Sequence, residues 1–286
     1  MSRPLVIFLA LALSSVSSCQ DPKPSDSGTP TPIQTSPAVS SLEMAVHDKP
    51  APKPVDKAAL VQDFNTWYNY HYYNIKLSQP FTGLNADSTP LSKARFLLKL
   101  STGEFVAFKE NAGVTGPVYR LYRPRALKPI IKSTLKQLAE NELNYVRMEG
   151  KPMPKFACTD LKGHKYTSAN TRGKTLVLKC WFIGCVACVK EFPELNRLTE
   201  DFTSQQDVLF VSLALDPETK LRAFLQHKTF NYAVVAQQGA YLKDQLDVRS
   251  YPTHVLVDGH GIIVKVAGNA ADLRAALEKQ VQRPAM

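Results

Sequence analysis

The sequence predicts an α/β domain over residues 151–286, with a central sheet covered by helices, after a smaller α+β domain over residues 56–150. Three observations support this prediction. Apolar strands alternate with amphipathic helices in the second half of the chain, an order typical of sheets covered on both faces. Cys185 and Cys188 lie where one buried strand meets a helix. A proline-rich stretch without aromatic residues precedes both domains.

The composition fits folded domains of ordinary size. The chain has 286 residues, of which 44% are hydrophobic and 21% charged, so it can bury a core. It has no run of about 18 consecutive apolar residues, which argues against a transmembrane helix in the mature protein. Five cysteines are too few for a small disulfide-stapled scaffold. The net charge of +10 permits an anionic partner without requiring one.

Residues 1–18 have the features of a secretory signal peptide. Arg3 provides the positive end, and a short apolar stretch follows over Leu5–Leu13. The sequence VSSC that ends at Cys19 resembles a bacterial lipobox and predicts lipidation of Cys19; the alternative is a plain cleavable signal with a cysteine nearby. The folded domains are therefore expected outside the cytosol, in the cell envelope or periplasm, anchored to a membrane by lipid.

Residues 19–55 are expected to form an extended, largely disordered tether. Eight of the 20 prolines fall in this segment, and no aromatic residue occurs between Phe8 and Phe64. Because such a composition cannot build a core, the expected role of the tether is to hold the folded domains away from the membrane.

The domain of residues 56–150 is predicted from short elements. Apolar residues at three- and four-residue steps predict helices over 57–77 and 130–148. Residues 95–100 and 105–108 are predicted as the strands of a hairpin, with a third strand over 118–122. The many tyrosines of the first helix indicate either packing on the sheet, which we favour, or an aromatic binding face.

A run of basic residues lies in the same domain, with no acidic residue between Glu110 and Glu140. A solvated surface is the more common meaning of such a run, and contact with anionic lipid or an acidic partner is the alternative. Nucleic acid is not expected as a partner outside the cytosol. The basic residues are Arg120, Arg123, Arg125, Lys128, Lys132 and Lys136.

The domain of residues 151–286 begins with a strand hairpin near Met153. Continuous apolar runs predict buried strands over 175–181 and 208–215, and a second hairpin is predicted from strands 254–257 and 262–266. Helices are predicted over 185–202, 219–227 and 271–282.

The chemistry is predicted to reside in Cys185-Val186-Ala187-Cys188. Two cysteines at this spacing, placed where a strand enters a helix, are typical of a redox site. At the helix N-terminus, free N–H groups and the helix dipole stabilise a Cys185 thiolate, which makes Cys185 the nucleophile. Cys188, one turn inside the helix, can attack a mixed disulfide formed on Cys185. Val189, where a haem attachment motif has histidine, argues against covalent haem, and the lack of a second such pair argues against a four-cysteine zinc site.

The run Cys180–Asn196, followed by Tyr251-Pro252-Thr253-His254, resembles the thioredoxin superfamily. Within it the resemblance is to the TlpA/ResA-like extracytoplasmic thiol–disulfide oxidoreductases, including lipoproteins of Bacteroidetes, and it covers residues 151–286. It implies a thioredoxin-like fold, a central mixed sheet flanked by helices, in which Pro252 is cis and faces the dithiol. The residues that this resemblance places at the substrate are Trp181, Val186, Ala187, Tyr251, Pro252 and Thr253.

Two residues near the dithiol depart from or extend this pattern. Lys179 stands where thioredoxin has a buried aspartate, and Glu191 follows Cys188 by one helical turn. We hypothesise that Glu191 accepts the proton of Cys188 and that Lys179 pairs with Glu191 or lowers a thiol pKa. The alternative is that Lys179 reaches the surface and Glu191 merely favours the start of the helix. Under the first hypothesis, Glu191→Gln should change the dithiol kinetics with little loss of stability.

The two other cysteines of the domain, Cys158 and Cys180, are expected to be inert thiols. A structural disulfide between them is the less favoured alternative. No cofactor is expected beyond the redox-active Cys185–Cys188 disulfide, and no metal.

The predicted function is that of a membrane-tethered enzyme, a thiol–disulfide oxidoreductase that reduces protein disulfides in the cell envelope. The resemblance implies protein-disulfide clients, with apocytochrome c among the candidates, and a membrane thiol-transporting electron donor. The sequence does not determine the direction of electron flow. One alternative is a thiol peroxidase, disfavoured by Phe182 where that chemistry places threonine. The others are a Cu(I)-delivery protein using both cysteines and a histidine such as His254, and a non-enzymatic binder whose aromatic helix is the working part.

Overall fold

The structure is a computed structural model that describes residues 56–110 and 116–282. All of these residues belong to a single compact unit. The predicted signal peptide, the lipidation site Cys19 and the proline-rich tether lie outside the described residues. The predicted domain boundary at residue 150 stays a prediction.

The first part of the described chain is a small four-stranded sheet packed against helices. The strand order is β2-β1-β4-β3, with β1 parallel to β4 and the other pairs antiparallel. Trp67, Phe96 and Tyr119 are among its fully buried side chains. The elements are α1 (Lys57–Leu60), α2 (Phe64–Asn74), β1 (Thr82–Leu84), β2 (Pro90–Leu91), α3 (Lys93–Leu100), β3 (Val106–Lys109), β4 (Val118–Tyr122) and α4 (Pro129–Met148).

Two predictions for this part are wrong. The helix predicted over 57–77 is divided in two, because the Asp63 side chain accepts a hydrogen bond from the Thr66 N–H and starts a new helix there. Residues 95–100, predicted as a strand, lie in helix α3. The Ser92 hydroxyl caps that helix, which buries Phe96, Leu97 and Leu100 on one side.

The second part has a five-stranded mixed sheet with helices, as predicted. Its strand order is β11-β10-β7-β8-β9; the central strand β7 is parallel to β8 and antiparallel to β10. A separate two-stranded hairpin, β5 with β6, precedes it. The elements are β5 (Ala157–Thr159), β6 (Lys165–Thr167), β7 (Thr175–Trp181), α5 (Val186–Lys190), α6 (Phe192–Asp201), β8 (Val208–Ala214), α7 (Glu218–Leu225), β9 (Ala233–Val235), a π-helix (Tyr241–Gln245), β10 (Thr253–Val257), β11 (Ile263–Ala267) and α8 (Ala270–Val281).

The helix predicted over 185–202 is also divided, at Glu191. Pro193 lies in the first turn of α6, where its missing N–H is tolerated but cannot continue the hydrogen bonding of α5. The break matters for the site, because it leaves Glu191 between the two helices.

Alternation along β7 directs its side chains into two different cores. Leu176, Leu178 and Cys180 pack in one cluster, which also includes Tyr145 of α4. Val177 and Trp181 pack on the opposite face with the helices that follow the strand. Lys179 lies on this second face and is fully buried.

Candidate active site

Cys185 and Cys188 form a disulfide at the start of helix α5. Cys185 is the N-cap residue, and its Sγ accepts a hydrogen bond from the Cys188 N–H at 3.2 Å. The preceding loop is held by Asp216, whose carboxylate accepts a hydrogen bond from the Ile183 N–H at 2.8 Å. Cys185 is 8% exposed and Cys188 is fully buried, so Cys185 is the more accessible of the two cysteines.

The Tyr251–Pro252 peptide bond is cis, which confirms the prediction for Pro252. Tyr251 packs against the same cluster as both cysteines. The Tyr251 ring also meets the edge of Phe182, with ring centroids 5.5 Å apart. The loop before strand β10 therefore adjoins the loop that carries the disulfide.

The six residues predicted to contact substrate fall into two groups. Val186 is 67% exposed, Ala187 is exposed, and Tyr251 and Pro252 are half-buried. The side chains of Trp181 and Thr253 are fully buried, and contact of the six residues with substrate stays a prediction.

The side chains of Trp181 and Thr253 contact residues that lie next to the site. Trp181 meets the ring of Phe192 edge-on at 5.0 Å. The Thr253 hydroxyl lies 3.0 Å from the Tyr145 hydroxyl of helix α4 and donates a hydrogen bond to the Ser250 carbonyl. Tyr145 also lies 3.0 Å from the Ser250 hydroxyl, so α4 braces the loop that carries Pro252.

Lys179 and Glu191 form a buried ion pair beneath the disulfide-bearing helix. Lys179 Nζ donates to Glu191 Oε2 at 2.7 Å; the Lys179 side chain is fully buried and that of Glu191 is 15% exposed. The other carboxylate oxygen accepts a hydrogen bond from the Ala270 N–H at 3.0 Å, at the start of α8. The alternative in which Lys179 reaches the surface is therefore wrong.

His254, which was predicted only as a ligand in the Cu(I) alternative, completes this group. Its Nε2 lies 3.1 Å from Glu191 Oε2, and its ring is fully buried with no hydrogen-bond partner for Nδ1. His254 pairs with Lys179 across strands β10 and β7, which places both side chains on one face of the sheet. The sequence did contain a sign of this role: His254 lies two residues after Pro252, in an otherwise apolar strand.

Burial and charge act in opposite directions on these three groups. Burial alone raises the Glu191 pKa, but the hydrogen bond and charge of His254, together with Lys179, outweigh it and lower the pKa below its ordinary value. Burial lowers the pKa of Lys179, and Glu191 opposes this effect. Burial likewise lowers the pKa of His254. The carboxylate of Glu191 is thus ionised at neutral pH and faces two nitrogen groups.

Cys158 and Cys180 are free thiols, so the alternative of a disulfide between them is wrong. Burial raises the pKa of the Cys180 thiol to about 12 and that of the Cys158 thiol to about 11. Neither forms a thiolate near neutral pH, which fits the expectation of inert thiols.

Half of the basic run is paired with acids. Arg120 Nε lies 2.9 Å from Glu110 Oε1, and Arg123 Nη2 lies 2.7 Å from Glu104 Oε2. Lys136 lies 3.9 Å from Glu140. These pairs favour a solvated surface over a site for an anionic partner.

Residues 56–110 and 116–282 were also considered as the place of a metal site or a membrane span. In this part of the chain, no group of three or more histidine, cysteine or acidic residues is placed to hold a metal ion. No helix within the same residues is long and apolar enough to cross a membrane.

The chain is similar to known proteins through its second part. Residues 150–266 match the model of the AhpC/TSA family. ResA, a thiol–disulfide oxidoreductase of Halalkalibacterium halodurans, is 27% identical over 117 residues, covering 41% of this chain and 66% of that protein. The enzyme of the same name from Bacillus subtilis is 28% identical over 118 residues, with the same coverage. The chain thus spans about two thirds of the length of these relatives.

One solved structure is also similar to this chain. The thioredoxin domain of a thiol–disulfide oxidoreductase from Bacteroides vulgatus is 27% identical, with a TM-score of 0.42, covering 46% of this chain and 96% of that one. The predicted similarity to ResA-like thiol–disulfide oxidoreductases is confirmed by the sequence relatives. The part of the chain that carries Cys185 and Cys188 has a thioredoxin-like fold and lies within the residues that match the AhpC/TSA family model.

Proposed function

We propose that this protein is a membrane-tethered thiol–disulfide oxidoreductase that reduces protein disulfides in the cell envelope through Cys185 and Cys188. The observation that carries the proposal is the arrangement of the disulfide. Cys185 is the more accessible cysteine, Cys188 is fully buried, and the cis Tyr251–Pro252 loop adjoins them. An extended client segment can pair with the backbone of such a loop.

The proposed reaction transfers two electrons to the client in two thiol exchanges. The Cys185 thiolate attacks one sulfur of the client disulfide, that bond breaks, and the second client sulfur leaves as a thiolate that takes a proton from water. Cys188 then loses its proton and attacks Cys185 Sγ, which releases the first client sulfur as a second thiolate. The client gains a dithiol, and the protein retains the Cys185–Cys188 disulfide.

Glu191 is the proposed acceptor for the Cys188 proton. Support comes from its position one turn after Cys188 and from its lowered pKa, which keeps the carboxylate ionised at neutral pH. Lys179 and His254 are proposed to hold that carboxylate in place through their contacts with Oε2.

Regeneration of the dithiol requires an electron donor. We propose a membrane thiol-transporting protein in this role. Lipid on Cys19 would keep the domain at the membrane, within reach of this donor. Apocytochrome c is one candidate client. Neither the electron donor nor the client requires a cofactor in this protein, because the electrons pass through cysteine sulfurs alone.

Insulin reduction in the presence of a thiol reductant tests the reaction. The wild type should accelerate it, and Cys185→Ala should abolish the acceleration. Cys188→Ala should accumulate a mixed disulfide between Cys185 and the client, because the resolving attack is lost. Cys158→Ala is the matched control and should behave as the wild type. Equal activity of the Cys185→Ala variant would contradict the proposal.

The reduction potential of the Cys185–Cys188 pair tests the direction of the reaction. A value near thioredoxin's, about −270 mV, supports a reductase, whereas one near DsbA's, about −120 mV, supports an oxidase.

Two further assays test the alternatives. A peroxidase should consume hydrogen peroxide, although Phe182 offers no hydroxyl to bind it. A Cu(I) carrier should bind the metal in a titration, although His254 is buried against Glu191.

A further inference from the structure

A groove lies between helix α2 and the loop that carries Pro252, and Glu191 is part of its lining. It has a volume of about 740 Å³. One wall comes from α2 and the residues after it, including Tyr68 and Tyr72. The opposite wall includes Tyr251 and Pro252, and Tyr145 of α4 lies between them. The groove therefore continues from the cis-proline loop onto a part of the chain that lies outside residues 150–266.

The tyrosines on the α2 wall are an exposed aromatic row. Tyr68 is 40% exposed and Tyr72 is 57% exposed. Their rings are stacked, with centroids 6.4 Å apart, and Tyr68 stacks in turn on Phe64 at 5.6 Å. Neighbouring aromatic side chains held at this exposure are typical of surfaces that bind a partner, because they offer contact area at low entropic cost.

The groove also carries an excess of acidic groups. Its lining includes the carboxyl groups of Glu142, Glu191, Glu194 and Asp272 and one ammonium group, that of Lys76. Lys179 neutralises Glu191, and burial raises the pKa of Glu142 to about 7, so Glu194 and Asp272 carry most of the negative charge. Lys76 Nζ donates to the Tyr72 carbonyl at 2.6 Å and lies over the Tyr72 ring. The sign of the lining is therefore opposite to the net charge of +10 on the whole chain.

Polar contacts hold the two walls together before any partner binds. The Ser78 hydroxyl donates to Asp272 Oδ2 at 2.6 Å, and Lys265 Nζ donates to the Ser78 carbonyl at 3.1 Å. Tyr145 lies 3.0 Å from the Ser250 hydroxyl at the opposite wall. A groove held in this way loses little freedom when it binds a partner.

We infer that this groove binds an extended segment of the client polypeptide next to its disulfide, with apolar side chains on Tyr68 and Tyr72 and basic side chains toward the acidic wall. The inference rests on the proposed reductase function. Three features of the groove support it: its continuity with the Tyr251–Pro252 loop, its exposed tyrosines and the charge of its lining.

The test compares a polypeptide with a small disulfide. Tyr68→Ala combined with Tyr72→Ala should raise KM for insulin about tenfold, the size expected when two aromatic contacts are lost. Rates with hydroxyethyl disulfide, which is too small to reach α2 from Cys185, should be unchanged. The matched control is Tyr73→Ala, because Tyr73 is 72% exposed on the same helix and does not line the groove.

A pair of synthetic peptides tests the charge. Each contains the same internal disulfide, flanked by arginines in one and by glutamates in the other, and the arginine peptide should show the lower KM. Equal KM values for the two peptides, or an unchanged KM of the double variant for insulin, would overturn the inference. A wild type that reduces neither insulin nor hydroxyethyl disulfide would instead overturn the proposed function, and this inference with it. Sedimentation that changes from dimer to monomer in the double variant would assign the groove to a second copy of the chain and overturn the inference as well.

Discussion

Replacing Glu191 with glutamine tests the buried ion pair and the proton acceptor in one experiment. The carboxylate accepts hydrogen bonds from Lys179 Nζ at 2.7 Å and the Ala270 N–H at 3.0 Å, and lies 3.1 Å from His254 Nε2. Glutamine keeps the shape of the side chain, but it has no charge and one of its two polar atoms is a donor. Either the Ala270 N–H or the Lys179 ammonium must then face an amide NH₂ group.

The cost in stability follows from these contacts. A hydrogen bond to a charged group contributes about 1.5–3 kcal/mol, and breaking a buried ion pair by removing one partner costs about 3–5 kcal/mol. Glutamine loses one such hydrogen bond outright and retains an uncharged acceptor for the others. We therefore expect Glu191→Gln to lower the free energy of unfolding by about 2–4 kcal/mol. This corrects the expectation from the sequence, which allowed little loss of stability because it did not place Lys179 in the interior.

Urea denaturation measures the loss of stability, and stopped-flow oxidation of the dithiol measures the catalytic role. If Glu191 accepts the Cys188 proton, oxidation should slow by about 10²–10⁴-fold and its pH profile should move upward. Glu149→Gln is the matched control, because Glu149 also accepts from a lysine, Lys265 Nζ at 2.8 Å, but is more exposed. That variant should leave the oxidation rate and its pH profile unchanged.

A double-mutant cycle with Lys179→Met separates the two roles. If Lys179 keeps Glu191 ionised, the Glu191 pKa should rise in Lys179→Met, and the two substitutions should be non-additive by about 0.5–3 kcal/mol. A stability change below about 0.5 kcal/mol for Glu191→Gln, a value typical of uncoupled surface positions, would refute the buried pair as described. Lost stability with an unchanged rate and pH profile would leave the pair structural and refute the proton acceptor.

Three further predictions concern other parts of the chain. After reduction, limiting iodoacetamide near neutral pH should alkylate Cys185 before Cys188 and Cys158, since Cys185 alone combines exposure with a helix N-terminus; earlier labelling of Cys188 would reverse the roles. Cys19→Ser should release the protein from the membrane fraction, and an unmodified Cys19 in the mass spectrum of a soluble wild type would contradict lipidation. Burial lowers the pKa of His71 from 6.5 to about 4, so the unfolded state binds the proton more strongly, and stability should fall as the pH falls from 7.5 to 5. The free energy of unfolding, measured by urea denaturation, should fall by about 2 kcal/mol over this pH range in the wild type and by less in His71→Leu. Equal losses in both proteins would refute the lowered pKa of His71.

The sequence predicted correctly those elements whose residue pattern fits a single type of secondary structure. Strand β7 is a continuous apolar run, and strand β4 and helix α4 were predicted within a residue of their observed bounds. Helix α3 was missed because KARFLLKL is apolar enough for a strand and too short for its period to decide. The Ser92 cap, together with burial of three side chains on one side, settles it as a helix.

The site was predictable to the extent that its chemistry is local. Cys185, Cys188 and Glu191 lie within two turns of one another along the chain, and their spacing alone suggested their roles. His254 was missed because its relation to Lys179 depends on the register between two strands that are far apart in sequence. The burial of the Trp181 and Thr253 side chains was not predicted for the same reason: which face of a strand is covered depends on elements elsewhere in the chain.

The burial of Lys179 depends on the break between helices α5 and α6. A lysine within an apolar central strand can be buried only if a carboxylate reaches it, because an unpaired buried charge is too costly. Pro193 ends the hydrogen bonding of α5, so the chain turns at Glu191 and α6 starts anew. There the carboxylate meets Lys179 on one oxygen and caps the start of α8 on the other. The proline after Glu191 thus has a structural consequence at the dithiol, since it ends the helix at the residue that neutralises the buried lysine.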